Sequence, residues 1–228
     1  MNYEQLINQI GDNLRVHPSQ IDKIIKTAPF RYKHYEILKR SGGKRSIHHP
    51  SPALKSVQRW LVRNILSQMP VHESVFSYVE NKNIAMNARE HIGSNYFVRL
   101  DFADFFPSIN GDEIARLLKE NATSGLIHLD QIAIRAIVRL VCRIDPETRA
   151  LALTIGAPSS PQISNTLLYE FDCLISNAAK ENDAIYTRYA DDVYISSKKM
   201  VVIDEMERIF RRELKKNLPF LRINEHKV

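Results

Sequence analysis

The sequence is poor in cysteine and lacks the spacings that are typical of a protein-bound zinc ion. Cys142 and Cys173 are the only cysteines among 228 residues, and each lies in an apolar helical pattern. We therefore expect both to be buried free thiols, as in proteins of a reducing compartment. The two cysteines and eight histidines form neither a CxxC nor an HExxH motif, which argues against a zinc site.

Long hydrophobic runs and targeting signals are also missing. No apolar stretch reaches the roughly 20 residues that span a bilayer, and no signal peptide is recognisable. We therefore expect a cytoplasmic protein with no membrane partner. No repeat, low-complexity tract or flexible linker divides the chain, whose length fits one large domain or two small ones.

The charge balance leans towards the positive side. Lysine and arginine number 32 against 26 acidic residues, which gives a net charge of +6 and a pI of about 9.3. This excess favours a polyanionic partner, although a mildly basic globular protein without such a partner fits it equally. The hydrophobic content of 44% is enough for a substantial core.

An acidic turn stands out near the end of the chain. The stretch TRYADDVYIS, residues 187–196, alternates β-branched and aromatic residues, which predicts a β-hairpin with Asp191 and Asp192 at its turn. An Asp-Asp turn that faces solvent needs only water and salt to balance its charge. If it faces a cleft, its hard oxygen ligands suit Mg²⁺.

A second acidic site lies in FVRLDFADFF, residues 97–106. Its short apolar run predicts a strand buried on both faces, with Asp101 inside it. A buried carboxylate is costly unless it is paired or metal-bound. If this strand lies beside the hairpin, Asp101 joins Asp191 and Asp192. Three carboxylates can hold two Mg²⁺ ions, the arrangement used for in-line phosphoryl transfer to a hydroxyl.

Two basic segments precede these acidic ones. Strand-like residues around a flexible turn at 41–43 predict a hairpin with five cations, Lys33, Lys39, Arg40, Lys44 and Arg45. Such a hairpin is either a charged edge that blocks aggregation or a clamp on phosphates. Ser51 then begins a helix on which Lys55, Arg59 and Arg63 recur every four residues. This stripe is either a solvated face or a track for a phosphate backbone.

The remaining pattern is mainly helical. It predicts helices from Asn110, from about 130 to 143, from Pro161 in one run to Ala178, and from about 203 to 216, followed by a final strand. The small-residue loop that begins at Gly156 is either an ordinary capped loop or a place where a ligand approaches the backbone.

In this order, the segments resemble a reverse transcriptase. YADD at 189–192 resembles the catalytic hairpin of that family, and LDFADFFPSI at 100–109 resembles its first metal-binding strand. GAPSSPQISN at 156–165 resembles its nucleotide-supporting loop and helix, and the segment 41–61 resembles its fingers hairpin and following helix. The segment from Asn87 to His91 matches the NAxxH element of bacterial retron reverse transcriptases.

The resemblance implies an α+β right-hand polymerase fold, with fingers and a palm whose antiparallel sheet packs on helices. It implies N-terminal helices over 1–30, fingers over 31–95 and a palm over 96–228 with an interleaved fingers segment at about 112–152. We expect the thumb to be absent, so that the chain is either a fragment or is completed by a separate piece.

The resemblance also implies site roles. Asp101 and Asp191 would bind both metals, Asp192 would complete the cluster, and Phe102 would contribute its backbone carbonyl. The nucleotide would be held by Lys44, Arg45, the backbone amides of Asp104 and Phe105, Gly156, and Phe106. Phe106 would be the steric gate against a ribose 2′-hydroxyl, with simple core packing as its alternative. Contacts to nucleic acid would come from Lys55, Arg59, Arg63, Asn87 and His91, and Lys227 would lie near the pyrophosphate.

The implied activity is RNA-directed DNA synthesis with two Mg²⁺ ions and dNTPs. For a retron enzyme, a structured noncoding RNA would be template and primer, the product would be branched RNA–DNA (msDNA), and an effector protein would act with it in anti-phage defence. One alternative is an RNA-binding or scaffolding module without synthesis, against which the intact aspartate set argues. The other is a palm-type nucleotidyl cyclase or template-independent transferase, against which the basic hairpin and the loop at Gly156 argue.

Overall fold

The computed structural model describes residues 1–38 and 42–226, in two compact units. The first unit comprises Met1–Met69 and Phe106–Ser164, and the second comprises Pro70–Phe105 and Asn165–Val228. Lys39, Arg40 and Lys227, to which the sequence assigned roles, lie outside the described residues.

The described residues form ten α-helices and eight strands, with two short 3₁₀ turns at Ala28–Phe30 and Leu66–Gln68. The helices are α1 (Tyr3–Leu14), α2 (Pro18–Thr27), α3 (Pro52–Asn64), α4 (Ile84–Glu90), α5 (Phe105–Ser108), α6 (Gly111–Thr123), α7 (Gln131–Val141), α8 (Ser160–Leu167), α9 (Tyr169–Glu181) and α10 (Met200–Asn217). The strands are β1 (Tyr32–Leu38), β2 (Lys44–Pro50), β3 (Tyr96–Ala103), β4 (Arg143–Ile144), β5 (Leu151–Ala152), β6 (Ala184–Tyr189), β7 (Asp192–Ser197) and β8 (Arg222–Ile223).

In the first unit, helices pack around the apolar helix α7. Helix α7 contacts α1, α2, α3 and α6, and seven of its eleven residues are buried. The predicted helix starts are found: Ser51 accepts a hydrogen bond from the Leu54 N–H, and Asn110 accepts from Asp112 and Glu113. The predicted basic hairpin is the antiparallel ribbon β1–β2, whose register runs from Tyr32 opposite Pro50 to Leu38 opposite Lys44.

The second unit is built on a four-stranded antiparallel sheet in the order β6-β7-β3-β8. Helices α9 and α10 pack on the sheet, and the rings of Phe102, Phe171 and Phe210 meet between them. Successive side chains of a strand point to opposite faces. The odd-numbered residues Val193 and Ile195 of β7 are fully buried towards this core.

Strand β3 is not buried on both faces along its whole length, contrary to the prediction. Leu100, Asp101 and Phe102 are buried, but Tyr96 is 44% and Phe97 is 74% exposed. The reason is topological: β8 pairs only with Phe102 and Ala103, so the first half of β3 is an edge of the sheet.

The single helix predicted from Pro161 to Ala178 is in fact two helices, α8 and α9, which are separated at Leu168. Leu168 has φ −88° and ψ 1°, outside the helical region, and its carbonyl accepts the first hydrogen bond of α9 from the Asp172 N–H. Because buried residues continue across this break, apolar periodicity could not reveal it.

Of the two cysteines, Cys142 is buried as expected, and burial raises the pKa of its thiol. Cys173 is only partly buried, because it lies beside rather than within the buried stripe of α9. Within the described part of the chain, no helix combines the length and the apolar character needed to cross a bilayer.

Candidate active site

Backbone pairing brings the acidic segments together. In the antiparallel ladder between β3 and β7, Asp101 lies directly opposite Asp192. Residues directly opposite each other share one face of the sheet. Asp191 precedes Asp192 in the turn of the β6–β7 hairpin, so the three aspartates lie at one end of one sheet.

The hairpin turn is fixed by its neighbours in the second unit. Ala190 has φ +58°, a left-handed conformation that is rare for a residue with a Cβ atom. The Asp191 carbonyl accepts a hydrogen bond from the Phe102 N–H at 3.0 Å. Phe102 of β3 is thus bonded to Asp191, and this bond connects the hairpin turn to β3.

Asp101 is 3% exposed and is held from its other side by Asn224, just after β8. The Asn224 N–H donates to the Asp101 carbonyl at 2.7 Å, and its side-chain Nδ2 donates to Asp101 Oδ2 at 3.3 Å. The aspartate is therefore oriented by contacts with the residue that follows β8. No sequence pattern predicts that Asn224 lies beside Asp101.

Asp192 forms an ion pair with Arg99, two residues before Asp101 on β3. Arg99 donates from Nε at 3.0 Å and from Nη2 at 2.8 Å, and both bonds end on Asp192 Oδ1. Burial raises the pKa of Asp192, and the charges of Asp191 and Asp101 raise it further, while Arg99 lowers it. The carboxylates thus interact as one cluster that favours an added positive charge.

Across residues 1–38 and 42–226, no three acidic, histidine or cysteine side chains form a preassembled metal cluster. The donor set nevertheless has the chemistry that Mg²⁺ requires. Its groups are the carboxylates of Asp101, Asp191 and Asp192 and the Phe102 carbonyl, all hard oxygens. Arg99 engages a single oxygen of Asp192.

The end of β3 leads directly into the predicted nucleotide-binding residues. Asp104 is exposed and has φ +46°, a left-handed conformation that turns the chain into α5. The ring of Phe105 is buried and stacks on Phe102, with ring centroids 5.5 Å apart. Phe106 is half-buried. The roles of these three residues stay predictions.

The NAxxH segment lies in and after α4, and its His91 contacts the β6–β7 hairpin. Asn87 is 2% exposed. His91 bonds through Nδ1 to Ser196 Oγ and through Nε2 to Thr187 Oγ, each at 2.7 Å, and burial lowers its pKa. Neither placement favours the predicted contact with nucleic acid, because Asn87 is interior and both ring nitrogens of His91 are engaged.

The other predicted residues lie in the first unit. Lys44 pairs with Glu36 across the ribbon at 2.7 Å, and Arg45 is exposed. On α3, Lys55 contacts His49 Nε2 at 3.2 Å, while Arg59 and Arg63 are exposed.

The backbone conformation and close packing at Gly156 favour glycine whether or not a nucleotide binds there. Its φ is +105°, and a Cβ atom would lie 3.2 Å from the His48 carbonyl oxygen and 3.1 Å from Ile47. The His48 N–H donates to the Ile155 carbonyl at 3.0 Å. The close approach at this glycine is therefore made by β2, and a nucleotide-lining role stays a prediction.

Sequence reasoning missed a buried polar network beneath the hairpin turn. Arg188 and Asp172 are both fully buried and form a two-pronged ion pair of 2.9 and 2.7 Å. A signal was present, because the two-residue period puts Arg188 on the buried face with Tyr186 and Val193. A cation at a core position requires a buried partner.

Comparison with known proteins decides the family. A family model described as reverse transcriptase (RNA-dependent DNA polymerase) matches residues 37–228. The chain belongs to the reverse transcriptase family. Among the relatives of the chain, the retron Ec73 reverse transcriptase of Escherichia coli is 33% identical over 88% of the chain and 64% of its own length. The retron Mx162 enzyme of Myxococcus xanthus is 37% identical over 72% of the chain and 35% of its own length.

Solved structures agree on the fold. Telomerase from Candida albicans, in complex with a TWJ fragment of telomeric RNA, matches with a TM-score of 0.54 at 12% identity, over 86% of this chain and 42% of that one. Apo telomerase from Candida tropicalis matches with the same score over 93% and 55%. The predicted α+β polymerase fold is confirmed. The chain spans about a third to two thirds of the length of the two retron relatives named above.

Proposed function

We propose that this chain forms the fingers and palm of an RNA-directed DNA polymerase, which adds dNTPs to a primer on an RNA template. The observation that carries the proposal is the register that sets Asp101 opposite Asp192, beside Asp191, in a member of the reverse transcriptase family. Side-by-side carboxylates at one end of a sheet are a suitable receptor for the metal ions of phosphoryl transfer.

Two Mg²⁺ ions would be held by Asp101, Asp191 and Asp192, with the Phe102 carbonyl as a further ligand. The all-oxygen donor set supports this assignment, because hard oxygens suit a hard cation. The like charges of Asp191 and Asp101, which help to raise the pKa of Asp192, also favour an added cation. When bound, the ions would supply activation of the primer hydroxyl and neutralisation of charge on the pyrophosphate. Arg99 would keep Asp192 oriented through Oδ1.

The chain's own groups would orient the nucleotide. Lys44 and Arg45 would bind the triphosphate, together with the backbone amides of Asp104 and Phe105 at the left-handed turn after β3. Gly156 would line the nucleotide and template side. Phe106 would act as the steric gate. Lys55, Arg59 and Arg63 would bind the phosphate backbone of nucleic acid.

The relatives support a finer proposal. Because they are retron reverse transcriptases, the template and primer here would be a structured noncoding RNA, and the product a branched RNA–DNA. Such a system would include an effector protein that acts in anti-phage defence. The nucleic acid that copurifies with the chain tests this proposal: a branched RNA–DNA supports it, and unbranched RNA alone contradicts it.

Primer extension tests the polymerase activity. A DNA primer annealed to RNA should be extended in Mg²⁺ and dNTPs, and Asp191→Asn should abolish extension while leaving RNA binding intact. Asp183→Asn is the matched control, because Asp183 is an exposed aspartate at the opposite end of the same hairpin. If Asp191→Asn retains synthesis, the site assignment is wrong.

Phe106→Ala tests the gate. Removal of the ring should allow ribonucleotides to be incorporated, and discrimination against them should fall by about tenfold or more, since a hydroxyl would no longer be excluded by contact. The measurement is the ratio of kcat/KM for dNTP and NTP. Unchanged sugar discrimination would assign Phe106 to core packing.

A further inference from the structure

Two buried side chains form hydrogen bonds with Ala190, in the turn that carries Asp191. The Ala190 N–H donates to Ser77 Oγ at 2.6 Å, and the Ala190 carbonyl accepts from Arg188 Nη1 at 3.1 Å. Ser77 is 1% exposed and Arg188 is 0% exposed. Both polar groups of the residue before the Asp191–Asp192 pair are therefore fixed by side chains that water does not reach.

Further hydrogen bonds within the second unit hold these two side chains in place. Arg188 Nη1 also donates to Asn165 Oδ1 at 3.1 Å, and Asn165 Nδ2 donates to the Ser77 carbonyl at 3.0 Å. Asp172 holds the opposite edge of the guanidinium and accepts a 2.6 Å bond from the Tyr186 hydroxyl. The segment before Ser77 is itself bonded to the Arg188 backbone.

The conformation at Ala190 needs such support. A left-handed φ at a residue with a Cβ is unfavourable and persists only where surrounding contacts impose it. An arginine suits the task better than a lysine, because its planar fork donates to Asp172 along one edge and to Ala190 from the other end. A buried ion pair is also a weak source of net stability, so fold stability alone does not account for it.

We propose that Arg188, Ser77 and Asn165 are positioning residues, which set the backbone of the Ala190–Asp191 turn and thereby the placement of the Asp191 and Asp192 carboxylates. The inference rests on the polymerase function proposed above. All three side chains are buried, and none belongs to the groups proposed above to hold metal or nucleotide. They act through Ala190, the single residue between β6 and the Asp191–Asp192 pair: Ser77 and Arg188 bond to it, and Asn165 bonds to both of them.

The test compares two buried serines on the same scaffold. Ser77→Ala removes the hydroxyl that holds Ala190 and leaves the Arg188–Asp172 pair intact. Ser197→Ala is the matched control, because Ser197 is 3% exposed and its hydroxyl donates to the Asp183 carbonyl at the opposite end of the hairpin. Ser77→Ala loses the buried bond from the Ala190 N–H, and Ser197→Ala loses the part-buried bond to Asp183 and a 3.4 Å bond from the Lys199 N–H. We expect each variant to lower Tm by about 2–4 °C.

Only Ser77→Ala should alter the acidic site. Single-nucleotide incorporation by the full chain should fall about ten- to a hundredfold, because small misplacements in a reacting site cost that much. Binding of Mn²⁺ alone, followed by electron paramagnetic resonance without nucleotide, should weaken by about tenfold. Ser197→Ala should leave both quantities near their wild-type values.

The outcomes separate the two proposals. If the unsubstituted chain extends primers and the two serine variants behave alike in incorporation and Mn²⁺ affinity, the positioning role is overturned. If the unsubstituted chain extends nothing, the polymerase function fails. Mn²⁺ affinity alone then decides: selective weakening in Ser77→Ala supports positioning, and equal affinity in both variants refutes it.

Discussion

At the scale of single residues, the pKa of a charged side chain depends on its neighbours and its burial, which the sequence alone does not show. Asp192 carries a raised pKa because it is partly buried among other carboxylates, although Arg99 opposes the shift. The repulsion between these carboxylates would be reduced by a bound cation. The sequence could identify the aspartates, but not Arg99 as their counterion or Asn224 as the partner of Asp101.

His48 on β2 provides a pH-dependent test. Burial first, and then the charges of Arg143 and His34, lower its pKa to about 4, although Asp145 opposes them. The unfolded chain binds this proton near pH 6.5, so the contribution of His48 to stability is complete above that pH. It is lost as the pH falls towards 4.

We therefore expect His48→Gln to lose less stability than the unsubstituted chain between pH 7 and pH 4.5. The difference should be of the order of 1 kcal/mol, discounted because the ring is not fully buried. Urea unfolding at the two pH values measures it. His128→Gln, at an exposed histidine of the same unit, is the control. Identical pH dependence in all three proteins contradicts the assignment.

At the scale of secondary-structure elements, α4 lies against the hairpin that it helps to hold. His91, directly after α4, bonds a hydroxyl on β6 and a hydroxyl on β7, so one ring spans both strands. Ser94 adds a 2.9 Å contact to the same Ser196 hydroxyl. His91 of the NAxxH motif thus connects the two strands of the hairpin, and the contact of this motif with nucleic acid stays a prediction.

Replacement of His91 distinguishes the two roles. His91→Phe keeps a ring and removes both hydrogen bonds, and we expect it to destabilise the fold by about 1–3 kcal/mol without changing RNA affinity. Thr187→Val removes one partner, and the double variant should be less destabilised than the sum of the single ones. Weaker RNA binding by His91→Phe with unchanged stability would instead assign the residue to the nucleic-acid interface.

Elements with strong local signals were predictable, and those set by tertiary context were not. The hairpins, the caps at Ser51 and Asn110, and the amphipathic helix α10 follow from turn residues, capping side chains and periodicity. The break at Leu168 and the exposure of Phe97 depend on packing and strand order, which no local pattern records. The hydrogen bond between Ser77 and Ala190 joins residues 113 positions apart.

At the scale of the whole molecule, the net charge of +6 agrees with a polyanionic partner, but only some of the cations are available to bind one. Arg188 is buried in an ion pair with Asp172, and Arg116 pairs with Glu113 and Glu120 on its own helix. Arg59 and Arg63 are exposed on α3. Binding should therefore depend on where charge is removed, and not only on how much.

Removal of the two exposed arginines of α3 tests this expectation. Arg59→Gln with Arg63→Gln should weaken binding of a fluorescent single-stranded RNA of any sequence. The slope of log K against log salt should fall by about 1–2, because two phosphate contacts and their released counterions are lost. Lys23→Gln with Lys119→Gln removes the same charge from exposed sites on α2 and α6 and should leave the slope nearly unchanged. Equal slopes in the two double variants would mean that α3 carries no phosphate track, and that the protein attracts RNA only through its overall charge.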